Sequence, residues 1–441
     1  MSTIVALSTP IGRGAIAVVR LSGPESLSIT RQLAPELHDV KPRRASITKI
    51  YSEGGEVLDE CLVTFFPAPN SVTGEDVVEI GCHGSPAVIR QILDRSLALG
   101  SVLAGPGEFT LRSLANGKIN LSQAEAVRDL ISAQTDVAVK QAARQMGGEL
   151  SYRLEHYKRK LIEVIVVLES ALEFVEDDLP QTKYQEIQES ILFVGDGVGR
   201  LRDSYPAGRL IHDGARVAIV GPPNVGKSSL FNKLIQQDRA IVTAIPGTTR
   251  DTLDHPIDIG GVPVVLTDTA GLRETTDSIE SLGIERTLRT ASDADLVLNI
   301  VDGSTENGLA QAGISECPSL LVLNKSDLFS SENSGDGPIG IRVSALTGEG
   351  LDDLRAAIIK SLTRDDGHYE GLLITNARHH DLLRASSREL EAAMDSIAAR
   401  ASEELILAPL HNVLRLLGEI TGETTTEDIL TQIFSTFCIG K

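Results

Sequence analysis

The stretch GPPNVGKSS, Gly221 to Ser229, restricts the fold of this chain more than any other, because of what stands on either side of it. An apolar run, RVAIV, leads into it, and a helix-like run, SSLFNKLI, leads away. Strand, glycine loop and helix in that order match G-x-x-x-x-G-K-[ST] in the context the motif requires. The glycines let backbone N–H groups close around phosphates, Lys227 brings a cation to the β and γ phosphates, and Ser228 offers a magnesium ligand. A glycine turn without a ligand explains neither the lysine nor the flanking strand and helix.

Three further segments follow in the order of a guanine-nucleotide domain. DTAG, after the strand VPVVLT, offers Asp268 to a magnesium shell and Gly271 to a γ phosphate, with Thr269 and Ala270 between them. NKSD, after LLVL, places Asn324 and Asp327 to hydrogen-bond a guanine edge, with Lys325 a further expected nucleotide contact, and SAL (Ser344, Ala345, Leu346), after IRV, resembles the loop that backs the base. A site built on such hydrogen bonds rejects bases that cannot satisfy them, so the set specifies GTP over ATP. TAIPGTTRD lies where a switch segment belongs. Its Thr243, Ala244, Ile245, Pro246, Gly247, Thr248 and Thr249 join Asn224, Val225, Gly226, Lys227, Ser228 and Ser229 as expected nucleotide contacts, with Thr249 the second expected magnesium residue. Yet DTAG is followed by Leu272, where a Ras-like GTPase carries the glutamine that orients the attacking water. Either hydrolysis is poor or other groups do the chemistry.

The 441 residues allow two to four domains, each with its own core. A net charge of −20 argues against gripping nucleic acid mainly through a basic surface. The four cysteines, Cys61, Cys82, Cys317 and Cys438, lie far apart without a C-x-x-C pair, which fits a reducing cytosol rather than a disulfide framework or cysteine zinc site. MSTIVALSTPIGRG lacks the features of a signal peptide, and no apolar run reaches the about 20 residues of a membrane span. LIEVIVVLES, broken by Glu163, reads as the buried face of a helix. A soluble, cytoplasmic protein is expected.

Short apolar runs bounded by turn residues (TIVALST, AIAVVRLSG, CLVTFFPAP, DVVEIGCHG) and a helix near SPAVIRQILDRSLALG make residues 1–118 a small α/β domain. Helical periodicity fills 119–210 and returns over 373–441, flanking an α/β block at 211–372. The expected architecture is multidomain α/β and all-α: an N-terminal α/β domain, then a helical domain interrupted by a Ras-like P-loop GTPase domain whose ends lie close together. SSENSGDGP reads as a polar loop. The acidic EFVEDDLP reads as a solvated helix end, metal binding being its alternative.

TTRD with DTAGLR, an asparagine within the phosphate loop, the terminal FCIGK, and the flanking TPIGRGAIAVVRLSGP and GPGEFTLRSLANGKINLSQAEA together resemble the MnmE (TrmE) family of tRNA-modification GTPases over essentially the whole chain. The GTPase motifs alone also fit relatives such as Era or EngA. STENGLAQAGISECPS, short for the family's usual helix, and EFVEDDLP are mild departures.

The resemblance implies an answer to Leu272. In such families a potassium ion replaces an arginine finger, which here implies Asn224, Thr243, Ile245 and Thr248 as its ligands, completed when two GTPase domains meet face to face. Glu280 takes the place of the water-orienting glutamate, although spacing alone makes it an ordinary exposed helix carboxylate. Lys227 and Thr249 complete the implied catalytic set. The resemblance also implies a tetrahydrofolate derivative, in the 5-formyl or 5,10-methylene form, at Arg20, Glu79, Lys118 and Lys441; each reads by itself as a surface charge, although carboxylate and cations suit pterin donors and folate carboxylates. Cys438 near the tail's end reads either as a small buried hydrophobe or as a reactive thiol. His83 beside Cys82 does not make a four-ligand metal site. The implied partners are a second copy of the chain, the flavoprotein MnmG (GidA) and tRNA, held largely by that flavoprotein. Two rival readings remain: a regulatory GTP-binding switch acting on a ribosomal or other partner, and a folate enzyme with a vestigial GTPase domain, which the intact motifs disfavour.

Overall fold

In a computed structural model, the structure describes residues 2–173, 181–237, 254–268, 293–304, 318–328, 340–363, 371–423, 430 and 433–440. The switch segment Thr243–Asp251, Thr269 to Leu272, Glu280, Cys317, Lys441, most of EFVEDDLP and STENGLAQAGISECPS, and the SSENSGDGP loop lie outside the described residues. Contacts divide the chain into two compact units, Met1–Arg128 with Gly418–Lys441, and Asp129–Leu417.

The first unit is built on a six-stranded sheet of β1 (Ile4–Leu7), β2 (Gly14–Ser22), β3 (Ser46–Tyr51), β4 (Val57–Phe66), β5 (Val77–Gly84) and β6 (Val102–Leu103), in the order β3-β4-β5-β2-β1-β6. All neighbours are antiparallel except β1 and β6. Alternation decides the faces: Val19, Leu21, Val63, Ile80 and Cys82 are buried with Ile29 and Leu33 of α1 (Ser26–Leu33) and Ile89 and Ile92 of α2 (Pro86–Ala98). The intervening residues, among them Arg20, Glu79 and Leu62, take the other face, part of which is covered by Phe109 of α3 (Glu108–Ala115). Strand β3 and helices α1 and α3 were not singled out by the sequence patterns.

The second unit joins helices to a second sheet. Helix α4 (Leu121–Ser132) begins in the first unit and ends in the second, where α5 (Asp136–Met146), α6 (Glu149–Glu173), α7 (Gln181–Asp203) and α8 (Tyr205–Asp213) are followed by β7 (Ala215–Val220), α9 (Lys227–Gln237), β8 (Asp254–Ile259), β9 (Val262–Asp268), β10 (Leu296–Asp302), β11 (Ser319–Asn324), β12 (Ile341–Arg342) and α10 (Leu351–Thr363). Helices α11 (Ala377–Ala398) and α12 (Glu403–Thr421) follow. The sheet order is β12-β11-β10-β7-β9-β8, parallel except for the β8–β9 hairpin. Its strands are near-continuous apolar runs because helices cover both faces, and Val217, Ile219, Leu298, Ile300 and Val322 are buried with Leu230, Leu234, Leu354 and Ile358. In LIEVIVVLES, Leu161, Val164, Ile165 and Leu168 are buried while Ile162 and Val166 are exposed, the 3.6-residue stripe of a packed helix. The sheet block leaves and re-enters the helices at one place: Ile374 N–H donates to Ser204 Oγ at 3.1 Å, just before α8 leads into β7.

Candidate functional site

The nucleotide motifs meet at the carboxyl ends of the parallel strands, the usual place for ligands in such sheets. β7 lies between β9 and β10, pairing Ile219 with Asp268 and Val220 with Asn299, so the phosphate loop emerges beside the strand end at Asp268. Asn224, at the loop's apex, has φ of 64°, a left-handed conformation that asparagine tolerates better than most residues. α9 starts at Lys227, placing Ser228 and Ser229 in its first turn, where free N–H groups and the helix dipole favour phosphate. The buried Lys227 ammonium donates to the carbonyls of Gly221 (3.0 Å) and Pro222 (2.8 Å), within the loop that is to cradle the phosphates.

Asn324, 1% exposed at the end of β11, ties the site together. Its Nδ2 donates to Val225 O (2.8 Å) and its Oδ1 accepts from Ala345 N–H (3.1 Å), so one buried amide joins the phosphate loop to the SAL loop. Ser344, fully buried, donates its hydroxyl to Asp327 Oδ1 and accepts from Thr347 N–H at 3.1 Å. That hydroxyl orients the Asp327 carboxylate through Oδ1. Lys325 has φ of 64°, and its ammonium sits 2.5 Å from Asp302 Oδ2. Burial of Asp302 opposes ionisation, but hydrogen bonds from Lys325 and from the hydroxyl and amide of Ser304 outweigh it and hold the carboxyl below the usual range. Asp302 and Ser304 were missed in the sequence; their signal is VDGS at a strand's carboxyl end, the edge that carries every other motif. Leu346 is 78% exposed.

The donor set fits the ions expected here. Ser228, in the first turn of α9, offers a hard oxygen ligand suited to magnesium, and the backbone of β9 ends at Asp268. Asn224 offers an amide oxygen suited to potassium, while Thr243, Ile245 and Thr248 lie outside the described residues.

In the first unit, Arg20 and Glu79 face each other across β2 and β5, with Arg20 Nη2 and Nε at 2.7 and 3.0 Å from Glu79 Oε1. The guanidinium also lies 5.7 Å from the Phe109 ring centre. Charged groups beside an aromatic ring suit a pterin with its carboxylate tail. Lys118 is held elsewhere, its ammonium donating to Pro69 O at 3.0 Å.

The C-terminal tail docks on the same sheet. Phe434 and Phe437 are buried with Ala124, Gly107 N–H donates to Cys438 O (3.3 Å), Ile439 bridges to Pro106, and Ser8 Oγ donates to Gly440 O (3.0 Å). Backbone pairing thus seats the tail's end at Leu7–Ser8, where Ala6 and Leu7 pair with Arg20 and Val19. Lys441 is the next residue in sequence. Cys438 is exposed, correcting the buried-hydrophobe reading: Phe434 and Phe437 fill the core, leaving its side chain outside. Cys61 and Cys82 are buried, which pushes both thiols up, Cys82 to about 11. His83 faces outward, opposite to Cys82, and bonds Asp59 at 2.7 Å; burial of Asp59 works against ionisation, yet hydrogen bonds from the His83 amide and ring hold it low.

A phosphate loop at a strand end, a buried asparagine that joins it to the SAL loop and a carboxylate oriented by that loop's serine, on a parallel sheet, define a P-loop GTPase, here set between helices. Two family descriptions match the chain: "GTP-binding protein TrmE N-terminus" over residues 3–118 and "MnmE helical domain" over residues 121–438. Curated relatives match end to end. A protein of Koribacter versatilis (strain Ellin345) named tRNA modification GTPase MnmE is 45% identical, covering 100% of this chain and 99% of its own length. Its namesake in Aquifex aeolicus (strain VF5) is 41% identical over 99% of both, and that in Thermotoga petrophila is 40% identical over 100% of both. The chain belongs to the MnmE (TrmE) family.

Proposed function

We propose that this chain hydrolyses GTP in the modification of tRNA and that, with the flavoprotein MnmG (GidA), it uses a one-carbon unit of tetrahydrofolate to install an aminomethyl or carboxymethylaminomethyl group at carbon 5 of the wobble uridine. The observation that carries the reading is the joining of the phosphate loop to the base loop through Asn324, in a chain that aligns end to end with relatives named tRNA modification GTPases. The working division is folate binding and dimerisation by residues 1–118, GTP hydrolysis by 211–372, and a helical frame from 119–210 and 373–441. The Arg20–Glu79 pair, on strands next to the one that seats the tail, supports the folate assignment; Lys441 follows the seated Gly440 in sequence, and Lys118 would have to leave Pro69 O to join them.

Hydrolysis rests on groups other than a glutamine at Leu272. Lys227 would meet the β and γ phosphates, Ser228 and Thr249 would hold magnesium, and Asn224, Thr243, Ile245 and Thr248 would hold potassium, ions that would supply positive charge against the charge that develops on the phosphates. Glu280 orients the water, and the ion's site is completed when two GTPase domains of a homodimer meet. With a net charge of −20 this chain leaves much of the tRNA grip to the flavoprotein, in the cytoplasm. Among the described residues no helix is long and apolar enough to cross a membrane.

The test is reconstitution of the chain, MnmG, tRNA, GTP and methylenetetrahydrofolate with glycine or ammonium, followed by mass spectrometry of the nucleosides. Modified wobble uridine that depends on all components is expected. Unmodified uridine with intact GTP turnover would move the regulatory-switch reading ahead.

A further inference from the structure

Helix α5 is fastened at both ends to parts of the GTPase block. Thr135, which caps it by accepting from Ala138 N–H (3.2 Å), donates its hydroxyl to Gly261 O (2.8 Å) in the β8–β9 turn. Val137 rests on the same turn: a Cβ at Gly261 would lie 2.4 Å from its Cγ2. Ala138 is part of the GTPase core itself. Further along the helix, about 9 Å on at 1.5 Å per residue, Gln141 reads the returning chain twice, donating to Gly371 O (2.8 Å) and accepting from Leu373 N–H (3.2 Å). Gln145 donates to Leu373 O (3.0 Å) and Thr375 Oγ1 (3.1 Å). Thr135, Gln141 and Gln145 are all buried, so each bond broken leaves a polar group without water.

The turn held by Thr135 belongs to the hairpin that separates the candidate switch segment, ending at Asp251, from Asp268 of DTAG. The chain held by Gln141 and Gln145 leads into α11. We infer that α5 is a coupling strut, with Thr135 and Gln141 as positioning residues through which the state of the nucleotide site is transmitted to the segment 371–375 and hence to the helices. The inference rests on the GTP-binding reading and adds its physical route: the paired strands of the β8–β9 hairpin carry the nucleotide end of the sheet to its turn at Gly261, and the buried bonds of α5 run from that turn to 371–375.

Hydrogen exchange on the full chain, with and without a non-hydrolysable GTP analogue and magnesium, tests it. In the wild type, nucleotide is expected to change exchange at 371–375 and in α5 by about threefold or more, alongside protection of the phosphate loop. Thr135→Val and, independently, Gln141→Ala should remove the response at 371–375 while phosphate-loop protection persists, and Thr135→Ser should restore it. An undiminished response at 371–375 in a folded variant of either kind, or none in the wild type despite a protected phosphate loop, overturns the strut. An unprotected phosphate loop in the wild type defeats the GTP-binding reading and takes this inference with it.

Discussion

Asp327→Asn exchanges one atom at the base site. Ser344 donates to Asp327 Oδ1, so the asparagine retains that bond with its carbonyl oxygen and turns its amide nitrogen to where Oδ2 stands. Against guanine, a carboxylate accepting from ring N–H and amino groups becomes a donor facing donors. A hydrogen bond to a charged group contributes about 1.5–3 kcal/mol, and leaving donors unmet costs about 1–3 kcal/mol more, so the combined loss is about 2.5–6 kcal/mol. At 1.4 kcal/mol per factor of ten, GTP affinity falls roughly 10²- to 10⁴-fold. Xanthine carries an oxygen in place of guanine's amino group, so XTP should bind the variant about tenfold or more better than it binds the wild type. Asp327 is exposed and the exchange is isosteric, so the melting temperature should stay within about 2 °C, separating binding from folding. Equilibrium titration with fluorescent GTP and XTP analogues reads both numbers. GTP affinity within about threefold of wild type, with no gain for XTP, would refute the assignment of Asp327 to the base.

Three further outcomes follow from the geometry. Gly107 has φ of 65° and a Cβ there would lie 2.9 Å from both Phe434 Cδ1 and Phe437 Cβ, so Gly107→Ala should loosen the tail by about 1–2 kcal/mol and speed carboxypeptidase trimming roughly tenfold. Glu79→Gln removes the charge that Arg20 pairs with and should weaken tetrahydrofolate binding about tenfold in calorimetry while leaving GTP turnover unchanged. His212 is pushed up to about 9, first by Asp129, whose Oδ1 lies 3.2 Å from Nε2, with burial opposing and Asp213 assisting. That Nε2 lacks a properly aligned hydrogen-bond partner, so the contact acts as an ion pair. A raised folded pKa stabilises fully below the unfolded value near 6.5 and is lost as pH rises through about 9. His212→Gln should therefore cost up to about 2–3 kcal/mol at pH 6, and the gap in denaturant midpoints should close by pH 10.

The sheet of the GTPase block was legible because each of its motifs sits at the end of an apolar run, as with RVAIV before the phosphate loop and LLVL before NKSD. The N-terminal sheet was legible where strands alternate cleanly, as in VVRLSG, but not at β3, an edge strand whose SITKIY mixes exposed and buried positions. What escaped were bonds between distant residues: Asp302 on Lys325, Gln141 on Leu373, and the tail on Gly107. None repeats with a helix or strand period, so the folded chain alone brings these partners together. Cys438 shows the same limit, since its exposure follows from backbone pairing of the tail and not from its apolar neighbours.

In the proposed mechanism a monovalent cation, rather than a glutamine at Leu272, assists GTP hydrolysis. The direct measurement is the hydrolysis rate in potassium against sodium chloride at equal ionic strength, over a range of protein concentrations, for the wild type and Asn224→Ala. A rate that rises in potassium and with protein concentration, and that loses its potassium dependence in the variant, is the predicted result. Equal slow rates in both salts would contradict it and make Leu272 a true deficit.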